Sequence, residues 1–310
     1  MEAQTGGDPM GEHKWMRTSL RHLSAELKGM GHAASRMTVG RLLRKQDYSL
    51  KANVKRLSGP AHPDRDHQFE YIEAQKQAYL EADLPVISVD TKKKELIGDF
   101  YNSGRSWLIE PEAVNVHDFR QDAVGKAVPY GIYDLAHKLG YVYVGNSAET
   151  GRFAVDAIAM WWEGEGRAGF VGADKLLILA DAGGSNGYRL RLWKQQLQEQ
   201  LADRLGLEVT VCHYPTGTSK WNPIEHRLFG PISINWAGKP LRTFETMLSY
   251  IRGTTTQTGL KVKAHLVDGH YEKGVKVSDQ QMEALELERH EVCPNWNYTI
   301  RPRSIAYAPT

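Results

Sequence analysis

The sequence predicts an α/β fold, a mixed sheet flanked by helices and preceded by a small helical segment. Three observations carry that prediction. Pro85–Val89 and Leu176–Ala180 are short apolar runs with β-branched or aliphatic residues, and each ends on an aspartate, Asp90 and Asp181. Such runs read as buried strands, and the Gly-rich Ala182–Gly187 reads as a loop leaving one. Leu176–Cys212 reads as strand, helix, strand. Leu190, Trp193, Leu197, Leu201 and Leu205 recur at helical spacing, and Gly206 ends the stripe before Val209–Cys212. One βαβ unit makes its strands parallel, with a right-handed crossover. Thr18–Leu27 and Ala34–Lys45 read as two helices parted by Gly29-Met30-Gly31, ahead of every strand.

Taken in order, Met1–His13 is Gly-rich and polar and is expected to be disordered. Leu20, Leu23 and Leu27 share one face of the first helix. In the second, Arg36, Arg41, Arg44 and Lys45 lie outside Met37, Leu42 and Leu43. Helix, Gly turn and basic helix suggest helix-turn-helix DNA binding; a helical hairpin packed on the rest of the chain has the same pattern. Ser58–Pro63 reads as a linker. Phe69–Leu80 reads as a helix leading into the first strand. Glu95–Leu108 has room for one or two further strands, and Tyr141–Val144 for another. Thr150 suits the N-cap of a helix over Gly151–Glu163, whose stripe of Phe153, Ala157, Ile158, Trp161 and Trp162 faces a sheet. Phe244–Arg252 reads as a helix and Leu260–Leu266 as a half-buried strand. Ser278 and Gln281 have capping-box spacing.

Composition bounds the class. The 310 residues are 41% hydrophobic and 25% charged, ordinary for a globular protein. Two cysteines, Cys212 and Cys293, suit a reducing cytoplasm and argue against a disulfide framework. No apolar run has the length of a membrane span, so no membrane partner is expected. Charge is uneven. Lys14–Arg56 holds eleven Lys or Arg against two acids, a balance of +9, while the whole chain is at +2; the remainder is therefore at −7. A basic arm before an acidic body suggests a nucleic-acid contact beside a metal-binding domain.

The third acidic position is Glu225. Asn222 is a good N-cap and Pro223 suits the first helical position, so Glu225 falls in a first helical turn where the dipole favours its ionised form. Two readings stand side by side: Glu225 closes a capping box with Asn222, or it is a metal ligand at a loop–helix junction. Rival chemistries fit poorly. Cys212, His213, His290 and Cys293 lack finger spacing, no Walker loop occurs, and Ser185 has no nucleophile elbow.

Asp90, Asp181 and Glu225, separated by 91 and 44 residues, lie in Val86–Glu95, Leu177–Gly187 and Tyr214–Phe229. These three blocks resemble those of DDE-type insertion-sequence transposases, with the ISAzo-type family as the match. The resemblance runs from about Leu20 to about Pro302. It implies an RNase H-like fold, opening with three antiparallel strands, and assigns Asp90, Asp181 and Glu225 as the acidic triad. It implies metal-dependent strand cleavage and strand transfer at insertion-sequence ends. The cofactor would be Mg²⁺ or Mn²⁺, two ions, with Asp90 bridging both, Asp181 holding one and Glu225 the other. Partners would be DNA, as element ends and target, and further copies of the chain. The location would be cytoplasmic and nucleoid-associated.

The domain layout then reads 1–13, disordered start; 14–63, helix-turn-helix-like segment and linker; 64–240, RNase H-like catalytic domain; 241–310, appended unit. By the resemblance, Val114–Val128 is a loop with some helix. Lys92, Lys93, Lys220 and Arg227 are placed to meet phosphate, with Arg36, Arg41, Arg44 and Lys45 on the arm. Ser185 and Asn186 would donate to phosphate, and Trp221 suits either base stacking or anchoring of the helix start. The family usually carries more sequence before the position of Leu20, so an amino-terminally shortened copy is expected. Two other outcomes remain open: a catalytically inactive transposase-derived DNA-binding protein, and an RNase H-like nuclease that cuts without joining.

Overall fold

The computed structural model describes residues 5–7, 14–16, 18–50 and 62–304. Most of the start expected to be disordered, and residues 58–61 of the expected linker, lie outside these residues. Two compact units divide the chain after Ser58.

In the first unit, β1 (Thr5–Gly7) pairs antiparallel with β2 (Lys14–Met16). Helix α1 (Leu20–Gly29) starts where the Ser19 hydroxyl accepts the His22 N–H. Helix α2 (Arg36–Lys45) starts where Ser35 accepts from Thr38. The inner face of α2 is made by Val39 and Gly40, whereas Met37 and Leu42 are exposed. Gly40 lets the Leu20 side chain approach: a Cβ there would stand 3.2 Å from Leu20 Cδ1.

The second unit is built on one mixed sheet. Its strands are β3 (Val86–Thr91), β4 (Glu95–Ile97), β5 (Gly125–Asp134), β6 (Leu139–Gly145), β7 (Lys175–Ala180), β8 (Glu208–His213), β9 (Lys261–Val267), β10 (Leu287–Arg289) and β11 (Asn297–Ile300). The order is β10-β11-β8-β7-β3-β5-β6-β9, with β4 beside the start of β5. Strands β3, β5 and β6 are antiparallel; β7 and β8 continue parallel from β3. This is the RNase H-like arrangement. The β7–β8 pair bears out the expected βαβ unit. Strand β9 runs parallel to β6, and β11 pairs antiparallel with β8, so the segment after 241 supplies three strands of the same sheet.

Helices cover both faces. Helix α4 (Gly151–Trp161) and α6 (Arg191–Gln196) bury Phe153, Trp161, Trp193 and their neighbours against Ile87, Val89, Ile132 and Ile178. The single-turn α5 (Arg167–Gly169) follows α4; the opposite face carries α3 (Arg65–Glu81) and α8 (Phe244–Arg252), with the helical stretch 223–235, which ends in α7 (Gly230–Asn235), between sheet and solvent. Among the described residues no helix is long and apolar enough to cross a membrane.

The structure departs from the sequence reading in several places. Strand β5 was not foreseen, and its first residues replace the loop expected up to Val128. Gly125, Pro129 and Gly131 interrupt its pattern, yet all residues from Ala127 to Tyr133 are buried. Glu95–Leu108 yields only the three-residue β4. The helix expected from Tyr188 begins at Arg191 and continues as a π-helical turn over Leu197–Asp203.

Candidate active site

Strands β3 and β7 are parallel with Val89 opposite Ala180, so Asp90 and Asp181 take the next position on neighbouring strands. That spacing is about 4.8 Å between strands. Side chains alternate across a strand. Ile87, Val89, Ile178 and Ala180 pack under α4 and α6, which leaves Asp90 and Asp181 on the opposite face with Ser88.

Glu225 reaches this face from the loop after β8. Asn222, fully buried, makes the junction: its Nδ2 donates to Asp181 Oδ1 at 3.0 Å and to the Val89 carbonyl at 3.3 Å. Its Oδ1 accepts from the Ser88 hydroxyl. Ser88 Oγ in turn accepts the Ile224 N–H at 3.1 Å. The helix does begin at Pro223, but Ser88 satisfies its first turn from a neighbouring strand, and the Asn222 side chain spends its bonds on β3 and β7.

Two glycines seat that helix. The residue opposite Asp90 is Gly131. A Cβ there would stand 2.4 Å from Phe229 Cε1 and 2.9 Å from Ile224 Cδ1. A Cβ at Gly140 would stand 2.4 Å from Leu228 Cδ1. A strand glycine often marks such close approach.

The three acids feel one another. Burial pushes the Asp90 carboxyl up to about 8, and the charges of Asp181, Glu225 and Glu149 push the same way; the Thr91 N–H, 2.7 Å from Asp90 Oδ1, opposes them. Glu225 is raised by burial and then by Asp181, so the dipole effect expected to favour its ionised form is outweighed. Among the described residues no three His, Cys, Asp or Glu side chains stand as a ready metal cage; the direct contact to Asp181 belongs to Asn222. The donor chemistry nevertheless fits a hard divalent cation. Several carboxylates repel each other here, and a cation relieves that repulsion without asking for His or Cys.

The family model for the Rhodopirellula transposase DDE domain matches residues 1–302. The chain belongs to this transposase family. No curated protein matches it. Among solved structures it is similar to the Mos1 transposase paired-end complex with the left transposon end, at 14% identity and TM-score 0.43 over 76% of this chain and 66% of that chain. It is also similar to the Mos1 mariner paired-end complex with Mn, at 12% identity and TM-score 0.44 over 76% and 66%. A third is the corresponding complex with Mg, at 11% and 0.43 over 79% and 74%. The chain thus spans just under two thirds of the first of these Mos1 chains.

The basic residues expected to meet DNA divide into two groups. Arg36, Arg41, Arg44 and Lys45 are all exposed on α2. Lys220 and Arg227 are exposed on either side of Glu225, and Lys93 is 82% exposed. Lys92 differs. It is 10% exposed, lies 4.7 Å over the Trp236 ring and faces Glu95, so its charge acts inward, on Glu225 among others. Lys94 pairs with Glu149. Ser185 and Asn186 are buried, and Ser185 Oγ lies 3.0 Å from Thr91 Oγ1, so both turn inward while Gly183 and Gly184 stay exposed. Trp221 is 54% exposed, with its ring T-shaped to Phe69 and Lys220 Nζ 5.3 Å over its face.

Sequence reasoning missed Ser88, Glu149, Gly131 and the bridging role of Asn222. Only Gly131 carries a local signal, a glycine inside an aromatic and β-branched run. The others declare themselves through contacts between residues more than forty positions apart.

Proposed function

We propose that the chain is a DNA transposase that cleaves strands at insertion-sequence ends and joins them to a target. The observation that carries this reading is the Ser88–Asn222–Asp181 junction, which brings Asp90, Asp181 and Glu225 to one face of the sheet. Asp90, Asp181 and Glu225 would hold two Mg²⁺ or Mn²⁺ ions. Bound there, the ions would polarise the scissile phosphodiester and activate the attacking oxygen. Asn222 orients Asp181, and Lys92 moderates the charge around Glu225 from the side away from solvent. Lys93, Lys220 and Arg227 would take the flanking phosphates, and Arg36, Arg41, Arg44 and Lys45 would bind duplex ahead of the catalytic unit. In strand transfer the freed 3′-hydroxyl attacks a target phosphodiester. One P–O bond forms, one breaks, and the displaced 3′-oxygen takes the proton. Action on paired ends calls for a homo-oligomer on DNA, in the cytoplasm with the nucleoid.

The test is a cleavage and joining assay with labelled element ends and Mg²⁺, run beside Asp90→Asn. Cleavage and joined product in the wild type only is the expected result. Cleavage without joining would place the chain with nucleases, and DNA binding without cleavage would make it a DNA-binding derivative.

A further inference from the structure

A second set of contacts grips Asp181 from behind. The bond from Tyr214 N–H to the Ala180 carbonyl, 2.8 Å, closes the main-chain ladder between β7 and β8. One residue further, the Asp181 carbonyl is met by a side chain: His213 Nδ1 lies 2.9 Å from it. His213 is fully buried, and its Nε2 is 3.1 Å from the Tyr298 hydroxyl on β11. That hydroxyl also receives the Trp193 Nε1–H of α6 at 2.9 Å.

The hydrogens in this chain have one consistent arrangement. A carbonyl only accepts, so Nδ1 carries the hydrogen. Nε2 of the neutral ring then accepts, and the Tyr298 hydroxyl donates to it. Indole only donates, so Trp193 fills the remaining position on Tyr298. Every bond runs the same way, from Trp193 through Tyr298 and His213 to Asp181. Each partner holds the next in one tautomer and one rotamer.

We propose that His213 is a positioning residue for the acidic site, aiming Asp181 through its main chain while Asn222 aims its carboxylate. Tyr298 and Trp193 lock His213 in the donating tautomer. The last strand of the sheet thereby becomes part of the apparatus that orients an acid at its centre. Outer contacts of this kind matter because a ligand free to rotate must be ordered anew whenever an ion binds.

The test compares the full-length wild type with His213→Leu, His213→Asn and Tyr298→Phe. Amide exchange across residues 180–187 is measured without metal, and the Mg²⁺ concentration for half-maximal cleavage is measured with it. Only the second readout rests on the transposase reading. His213→Leu should speed exchange at 180–187 and raise the Mg²⁺ midpoint by about ten- to a hundredfold. DNA affinity in EDTA should not move. Tyr298→Phe should shift both readouts the same way by less. His213→Asn keeps a donor near the Nδ1 position, so it should restore both toward wild type. Should His213→Leu not fold, the Asn and Phe variants carry the comparison. Local exchange and Mg²⁺ midpoint unchanged in Tyr298→Phe, or His213→Asn as impaired as His213→Leu, would overturn the proposal. A wild type that cuts nothing would sink the transposase reading instead, and the exchange readout would still decide the His213 contact.

Discussion

The Asn222 side-chain amide donates to the Asp181 carboxylate at 3.0 Å across 41 residues of sequence. The same side chain accepts from Ser88, two residues before Asp90, and stands three residues before Glu225. One buried amide therefore ties together the three segments that carry the acids.

Asn222→Ala should be costly for that reason. It strands the Ser88 hydroxyl and the Val89 carbonyl in a buried setting, and an unpaired buried polar group costs about 1–3 kcal/mol. Urea denaturation should show a loss of that order. Asn222→Asp should be worse at neutral pH, because it sets a carboxylate against Asp181. A wild-type midpoint for both variants would mean the junction is replaceable by water.

Glu225→Gln separates metal chemistry from helix capping. Gln serves as well as Glu at a helix start, but its neutral amide binds Mg²⁺ far more weakly. The variant should fold, bind DNA like wild type, and lose Mg²⁺-dependent cleavage by roughly a thousandfold or more. Asp90→Asn combined with it should add little, since the acids act as a unit. Near-normal cutting by Glu225→Gln would leave Glu225 no ligand role.

The Asp90 carboxyl sets a pH dependence with a definite sign. Its ordinary value is 3.8, and in the folded chain it is raised to about 8, so between these values the folded state binds the extra proton. The Asp90 contribution to the stability of the metal-free protein is fully present below 3.8 and is lost as pH rises toward about 8. Asp90→Asn should flatten that slope. Mg²⁺ competes with the same proton, so thermal stabilisation by Mg²⁺ should grow over the same window. Denaturation curves at a series of pH values, with Mg²⁺ or EDTA, read both. A stability difference between wild type and Asp90→Asn that does not fall through this window would contradict the assignment.

The α2 arm makes an electrostatic prediction. If Arg36, Arg41, Arg44 and Lys45 meet phosphate, replacing all four with Gln should weaken DNA binding, and each lost contact should reduce the salt slope by roughly 0.9. Fold should be untouched, since all four side chains are exposed. An unchanged slope would make this a solvated face.

Periodicity and composition sufficed for much of this chain. The apolar runs before Asp90 and Asp181 form β3 and β7 because a buried strand needs little beyond a short β-branched or aliphatic run. The stripes of α4 and α6 lie on the sheet because helical spacing admits one face. The Ser278–Gln281 capping box forms as written, with both reciprocal bonds. Local pattern failed where a residue's role depends on a distant partner. Strand β5 escapes a local reading because Pro129 and Gly131 interrupt its pattern, although Gly131 is small so that Phe229 can sit on it. Asn222 read as a cap because its neighbours in sequence are a helix start; its neighbours in space are β3 and β7. Lys92 read as a phosphate contact because it stands in a run of three lysines, and the fold turns it inward over Trp236. Spacing along the chain marks most of the strands and helices. Which polar atom meets which is set by strand register and close approach, and those exist only once residues as far apart as Ser88 and Asn222 have been brought together.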